Sequence, residues 1–160
     1  MNLGELFGSF HLENIRINTA VVSVDVSFEN IDRDAAWEMY IEMLTRIVTQ
    51  PLPSEVGDEQ TALESVYSLF GTTREILRRQ GRGAIRFSMV AIPVLNQVVR
   101  PFTAKWHREN LAGAFDDPTR CIEFRSELEA LQDDLRNYNR LLADIAGVED
   151  LTDLETVEGE

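Results

Sequence analysis

The 160-residue sequence predicts an α+β fold that is mostly α-helical, with an N-terminal β-hairpin packed on an irregular four-helix bundle. Three observations predict this fold. Residues 22–28 alternate between apolar and polar side chains, as in a strand with one buried face. Residues 84–108 are apolar on nearly every side of a helical projection, which is typical of a buried central helix. From residue 124 to 145, apolar residues step by four and three, as in a bundle seam.

The chain begins with the predicted hairpin, in which Asn18 and Thr19 form a short turn between two strands. Asp32 or Asp34 then caps the first predicted helix, and Pro51 stops the helix. The predicted elements are a hairpin over residues 10–28 and helices over about 33–49, 58–80, 84–112 and 118–146, all in one domain covering 1–154.

Prolines interrupt the predicted central helix, which we expect to be buried and kinked. Pro93 and Pro101 each remove a backbone donor and crowd the carbonyl group four residues back. Pro101 is the stronger predicted break, because Arg100, as the residue before a proline, is disfavoured in the α region. The helix is therefore expected to kink or break once or twice.

The last predicted helix begins at Asp117 and Pro118, a cap followed by a first-turn proline, and ends at Gly147. Its apolar stripe has two interpretations. The stripe forms a seam that covers the central helix of the same molecule, or it pairs with a helix of another chain. In the second case the contact residues include Leu128, Leu131, Leu135 and Tyr138.

Charge is distributed unevenly along this acidic chain, whose formal net charge is -13. A general nucleic-acid binder depends on cationic contacts with phosphates, so this balance argues against direct nucleic-acid binding. Residues 74–108 nevertheless hold eight cations and one acid, whereas residues 116–160 hold fourteen acids and four arginines. The basic segment either faces the acidic last helix or forms an external anion site. Residues 155–160 are predicted to be an acidic tail that is disordered or docks elsewhere.

Cysteine usage and hydropathy predict a cytoplasmic protein. The single cysteine, Cys121, cannot form an internal disulfide, and no signal-like apolar run precedes the first predicted strand. Arg86, Arg100 and Lys105 interrupt the central apolar stretch, so we expect no membrane span.

Signatures of common enzymes are absent from the sequence. Gly81 and Gly83 lack the spacing and the following lysine of a phosphate loop, and no histidine has a glutamate three residues before it. Glu38 and Glu42 lie one helical turn apart, but such a pair is usually a solvated helix face. We therefore predict no catalytic residues, no metal site and no cofactor, and a protein that is not an enzyme.

One cluster at the end of the central helix combines cationic, aromatic and titratable side chains. Arg100 and Lys105 could pair with an anionic, nucleotide-like ligand, while Trp106 stacks on it. His107 and Arg108 complete this candidate site. In the alternative interpretation Trp106 belongs to the core and the cations lie in water.

The same residues carry a short resemblance. The Arg-Pro-Phe-x-x-Lys-Trp-His sequence at residues 100–107 resembles a signature of small helical bacterial proteins of unassigned role, some of them similar to components of phage-defence systems. The resemblance implies a bacterial protein, possible participation in antiviral defence, and no particular mechanism.

These observations predict an interaction or regulatory protein that self-associates or joins a larger bacterial assembly. A ligand-sensing module that binds a small anion at residues 100–108 is the first alternative. The second is an acidic protein that imitates nucleic acid and occupies the basic groove of another protein.

Overall fold

The computed structural model describes residues 1–154 and shows a helical bundle with no β-strand in that range. The predicted acidic tail, residues 155–160, lies outside the described residues. In chain order the helices are α1 Leu3–Ser9, α2 Thr19–Val22, α3 Asn30–Leu44, α4 Glu59–Gln80, α5 Ile85–Val94, α6 Arg100–Leu111 and α7 Pro118–Ala146. Short 3₁₀ segments occupy Gly81–Ala84 and Ala114–Asp116, and a π-helical segment occupies Leu95–Val99.

The predicted β-hairpin over residues 10–28 is wrong, and with it the α+β fold class. Asn18, expected in a turn, instead caps α2, since its side chain accepts a hydrogen bond from the Ala20 N–H at 3.0 Å. Asn2 and Asp25 form an isolated antiparallel bridge. A hairpin alone is marginal in water. Here several apolar side chains of this segment pack separately against the helical core: Phe10, Ile15, Ile17, Val21, Val26 and Phe28.

Helix α1 lies in a region where the sequence analysis predicted no helix. It begins with a reciprocal capping box: the Glu5 N–H donates to Asn2 Oδ1 at 2.9 Å, and the Asn2 N–H donates to Glu5 Oε2 at 3.0 Å. The Asn-x-x-Glu spacing of residues 2–5 is the sequence signal that indicates this capping box and the start of a helix. Leu3, Leu6 and Phe7 are buried and join α1 to the core.

A buried carboxylate links the beginnings of α3 and α5. Helix α3 starts at Asn30, three residues before the predicted start, and Asp32 lies in its first turn. Asp32 accepts hydrogen bonds from the Glu29 N–H and from the Phe87 N–H of α5, both at 2.9 Å. Because the amino ends of helices carry positive partial charge, one carboxylate stabilises both helices and fixes their relative position.

The central helix continues through both prolines, so the predicted break at Pro101 is wrong. Arg100 keeps helical angles, φ -59° and ψ -43°, and its N–H bonds to the carbonyl oxygen of Leu95, five residues back. This wider π-helical turn occurs immediately before Pro101 and accommodates the missing donor without ending the helix. The central helix is also not buried on every side, since Ile85 is 61% exposed.

Helix α7 forms the long seam of the bundle and packs mainly against α3. It begins after Asp117, whose side chain accepts from the Thr119 N–H at 2.9 Å, and ends at Gly147 in the left-handed region, as predicted. The predicted stripe is buried within the molecule; it contains Phe124, Leu128, Leu131, Leu135, Tyr138, Leu142 and Ile145.

A second face of α7 holds the irregular connection between α3 and α4. Gln132 donates to the carbonyl oxygens of Ile47 and Gln50 at 2.6 and 2.7 Å. Arg125 donates to the carbonyl oxygens of Pro53 and Gly57 at 2.9 and 2.8 Å. Buried or half-buried carbonyl groups need such donors, so these α7 side chains have a structural role.

Candidate functional site

The predicted ligand site at residues 100–108 is divided between two flanks of α6. Arg100 and His107 are seven residues apart, about two helical turns, and therefore lie on one face of α6, while Lys105 and Trp106 lie on another. Lys105 and Trp106 contact residues of α7, whereas Arg100 and His107 contact residues of α4. Arg108 is exposed. The five side chains therefore do not converge on one ligand.

Trp106 lies in the core of the bundle, with 0% of its surface exposed. Its Nε1–H donates to Glu127 Oε2 at 2.8 Å, which satisfies the polar edge of the indole. Phe115 stacks against the ring at a centroid distance of 6.0 Å, and Phe124 meets it edge-on at 5.2 Å. No face of the indole is open for a stacked ligand.

Lys105 is neutralised by two acids of α7. Its Nζ lies 2.5 Å from Glu127 and 3.4 Å from Glu123, and the hydrogen bond to Glu127 raises the pKa of Lys105 above its usual value. A groove of about 370 Å³ beside Lys105 is also lined by Glu127 and Asp134. Burial and the neighbouring Asp133 raise the pKa of Asp134. Electrostatics in this groove therefore disfavours an anion.

Arg100 and His107 lie on the other flank of α6, against α4. The Arg100 guanidinium stands 4.6 Å from the ring centroid of Phe70 and donates to Asn96 Oδ1 at 3.0 Å. The His107 ring meets Tyr67 edge-on at 5.0 Å. Since residues 67 and 70 pair with 107 and 100, the two helices run antiparallel along this flank.

Five arginines extend along this flank and its margin, and we call them the arginine face: Arg16, Arg74, Arg78, Arg100 and Arg108. All five are exposed. Arg74 and Arg78 lie one turn apart on α4, and Arg100 and Arg108 lie two turns apart on α6. Arg16 is held beside the π-helical segment, because its N–H donates to Gln97 Oε1 at 2.7 Å and its carbonyl oxygen accepts from Gln97 Nε2 at 2.5 Å.

These arginines differ from most other cations of the protein in lacking acidic partners. Within residues 1–154, none of the five has a side-chain nitrogen within 4.0 Å of a carboxylate oxygen. Eight other cations do: Arg46, Arg79, Arg86, Lys105, Arg120, Arg125, Arg136 and Arg140. Among the cations of the basic segment 74–108, Lys105 alone forms ion pairs with α7, so the predicted charge pairing between that segment and the last helix is limited to one cation.

The chemistry of the arginine face is recognition of negative charge. A guanidinium group is always charged and presents a planar set of donors that matches carboxylate or phosphate oxygens. Several such groups without acidic partners repel one another and attract anions. Gly71 and Ala104 are exposed on the same flank, and a Cβ atom added at Gly71 would meet nothing within 4 Å. A partner can therefore approach the backbone of α4 closely.

The residues predicted for pairing between chains are not on the surface. Leu128, Leu131, Leu135 and Tyr138 are all buried against the rest of the bundle. The seam that they form covers helices of the same molecule, which was the first of the two interpretations of the stripe.

Other residues considered for chemistry have structural partners. Glu38 bonds to Arg79 and Gln80, and Glu42 bonds to Arg46, as expected for a charged helix face. The Cys121 thiol donates to the Phe115 carbonyl oxygen at 3.3 Å, and burial raises its pKa. Among the described residues, no three His, Cys, Asp or Glu side chains are grouped so that they could hold a metal ion.

Comparison with known proteins identifies no relative: the chain matches no protein-family model, no curated protein and no solved structure. The resemblance at residues 100–107 therefore stays a prediction. Within residues 1–154, no helix has the length and apolar character that crossing a membrane requires.

Proposed function

We propose that this protein is a non-enzymatic interaction protein whose arginine face binds an acidic surface of a protein partner. The observation that carries the proposal is the set of five exposed arginines that have no carboxylate partner within residues 1–154, on a chain of net charge -13. Most cations elsewhere in residues 1–154 are ion-paired, and the exceptions, Arg33 and Arg82, are single exposed arginines outside this face. An acidic partner would complete the pairing that this flank lacks.

The setting of this interaction follows from the sequence. The short resemblance at residues 100–107 supports a bacterial assembly, including one related to defence, and the lone Cys121 supports the reducing cytoplasm. Self-association is a further form of the same proposal, because an acidic second copy could also supply the missing carboxylates.

Two other functions were predicted from the sequence, and the structure favours neither specifically. A sensor of small anions would need a concave site, whereas the five predicted ligand residues are divided between two flanks. An acidic mimic of nucleic acid would use α7 and the residues after it, where Arg120, Arg125, Arg136 and Arg140 are paired with acids.

The proposal is tested by photocrosslinking in the cells that make the protein. A benzophenone amino acid replaces Ala104, which is exposed between Arg100 and Arg108, and in a matched control it replaces Ile122, which is 70% exposed on α7. We expect a discrete adduct from position 104 and none from position 122.

Charge reversal provides the second arm of this experiment. The double substitution Arg74→Glu and Arg78→Glu should abolish the adduct from position 104 while changing the free energy of unfolding by about 0.5 kcal/mol or less, as exposed changes usually do. An adduct that persists in the double variant, or one that forms at position 122 instead, would contradict the proposed contact surface.

A further inference from the structure

The arginine face has two chemically different ends. Tyr67 is 52% exposed and Leu111 is 91% exposed, and both lie at the end where His107 meets α4. Arg74 and Arg78 lie toward the opposite end, on the side of Phe70 and Arg100. Leu111 buries little of its surface in the isolated molecule and is therefore open to contact with a ligand. A ligand that fits the whole face must therefore offer apolar surface at one end and negative charge at the other.

The helices also set the length of this ligand. Tyr67 and Arg78 are eleven residues apart on α4, and Arg100 and Leu111 are eleven residues apart on α6. At a rise of 1.5 Å per residue each distance is about 16 Å. Because α4 and α6 run antiparallel, their charged ends point the same way and their apolar ends point the same way, although Arg78 lies eight residues beyond Phe70 and Leu111 lies four residues beyond His107. A helical segment of about 11 residues, or an extended one of about 5, would span the part of the face on either helix.

Protein carboxylates fit this surface better than a nucleic-acid backbone does. A phosphate chain carries its charge evenly along its length and has no counterpart for the apolar end at Tyr67 and Leu111. It would also be repelled by the remainder of a chain with net charge -13. A compact acidic segment concentrates its charge at the arginines and avoids that repulsion.

A second copy of this chain is a weaker candidate for the occupant. Three of its acids on α7 already have cationic partners, since Glu123 and Glu127 bind Lys105 and Asp133 binds Arg136, and withdrawing these acids would break existing ion pairs. Other exposed acids of α7 have no ion pair within residues 1–154, but two copies that each carry a net charge of -13 repel each other.

Resting on the function proposed above, we infer that the partner lays a short acidic segment along the exposed surface of α4 and α6, with carboxylates on Arg74, Arg78 and Arg100 and an aliphatic or aromatic side chain on Tyr67 and Leu111. Gly71 and Ala104, both exposed, leave room for the backbone of that segment at the centre of the flank. The arginines attract the carboxylates to one end of the face, and the apolar contact at the other end determines the direction in which the segment runs.

Fluorescence anisotropy with synthetic probes tests this inference on the full chain. The first probe is a labelled peptide of about 11 residues with glutamates in one half and a leucine and a phenylalanine in the other. The matched probe has glutamine at every glutamate position. The competitors are single-stranded DNA of equal formal charge and inorganic phosphate, and sedimentation of the protein alone reports self-association. We expect the acidic peptide to bind at least about tenfold more tightly than the glutamine peptide, and affinity to fall with added salt.

Two protein variants separate the ends of the face. Arg74→Gln with Arg78→Gln should weaken binding of the acidic peptide by about tenfold or more. Leu111→Ser should weaken the same peptide severalfold without altering the salt dependence, whereas Ile122→Ser on α7, also highly exposed, should have no effect. Equal binding of both peptides overturns the charge contact, and an unaffected Leu111→Ser variant overturns the apolar contact.

The competitors test whether a ligand of another class binds the arginine face. More effective binding of DNA or of phosphate would replace the acidic segment with a nucleic acid or a small anion. Self-association of the protein that Arg74→Gln with Arg78→Gln abolishes would replace the segment with a second copy. These results are distinct from failure of the proposed function. If adducts still form at position 104 in cells while the peptide does not bind, the contact surface is correct and the chemistry of the partner is wrong.

Discussion

Replacing Trp106 with alanine is expected to lower the free energy of unfolding by about 3 to 5 kcal/mol, the usual cost of removing a large aromatic side chain from a core. The indole has no exposed surface, contacts Phe115 and Phe124, and donates a hydrogen bond to Glu127. Its removal leaves a cavity and breaks that hydrogen bond. Chemical denaturation followed by circular dichroism measures the loss.

Two controls assign the cause of this loss. Trp106→Phe keeps an aromatic ring and removes the indole N–H, so a smaller loss, dominated by the hydrogen bond to Glu127, is expected. Leu111→Ala changes a residue of the same helix that is 91% exposed, and should alter stability by about 0.5 kcal/mol or less. A Trp106→Ala protein as stable as wild type would contradict the buried position and would restore Trp106 as a surface for stacking.

Replacing Asp32 with alanine is expected to cost about 3 kcal/mol or more. The carboxylate accepts from the Glu29 N–H and from the Phe87 N–H, and a hydrogen bond to a charged group contributes about 1.5 to 3 kcal/mol. The substitution removes both and leaves the buried Phe87 donor unpaired. Thermal and chemical denaturation should both show the loss.

Asp34→Ala is the matched control for this effect, since Asp34 is exposed two residues later on the same helix. It should change stability little. Asp32→Asn keeps an oxygen acceptor but not the charge, so an intermediate loss is expected. If Asp32→Ala and Asp34→Ala are equally mild, the carboxylate does not join α3 to α5.

Local signals predicted the later helices well and failed at the beginning of the chain. Asp117, Pro118 and Gly147 set the ends of α7, because capping and backbone preference act over a few residues. The alternation over residues 22–28 indicated a strand, yet a strand is stabilised by hydrogen bonds to a neighbour. No such neighbouring strand is present within residues 1–154: Thr19–Val22 form α2, and Asn2 and Asp25 form a single isolated bridge.

The candidate site shows the same division. The sequence drew attention to residues 100–108 and to the excess of arginine between 74 and 108. The sequence could not predict that Lys105 pairs with the acids of α7, or that Arg74 and Arg78 have no acidic partner among the described residues. Each pairing depends on which helices lie side by side. Arg16 had no local signal at all; its place beside Gln97 is a contact across 81 positions of the chain.

By itself the sequence determined the acidic net charge, the apolar seam of α7 and the cap at Asp117, because each depends on composition or on residues within one or two helical turns. Only the tertiary structure decided that Asp32 joins two helices, that Trp106 is core, and that five arginines lie exposed with no acidic partner among the described residues. Those outcomes depend on the antiparallel packing of α4 against α6 and of α3 against α7, since long-range packing determines which charges are buried, paired or left to meet a partner.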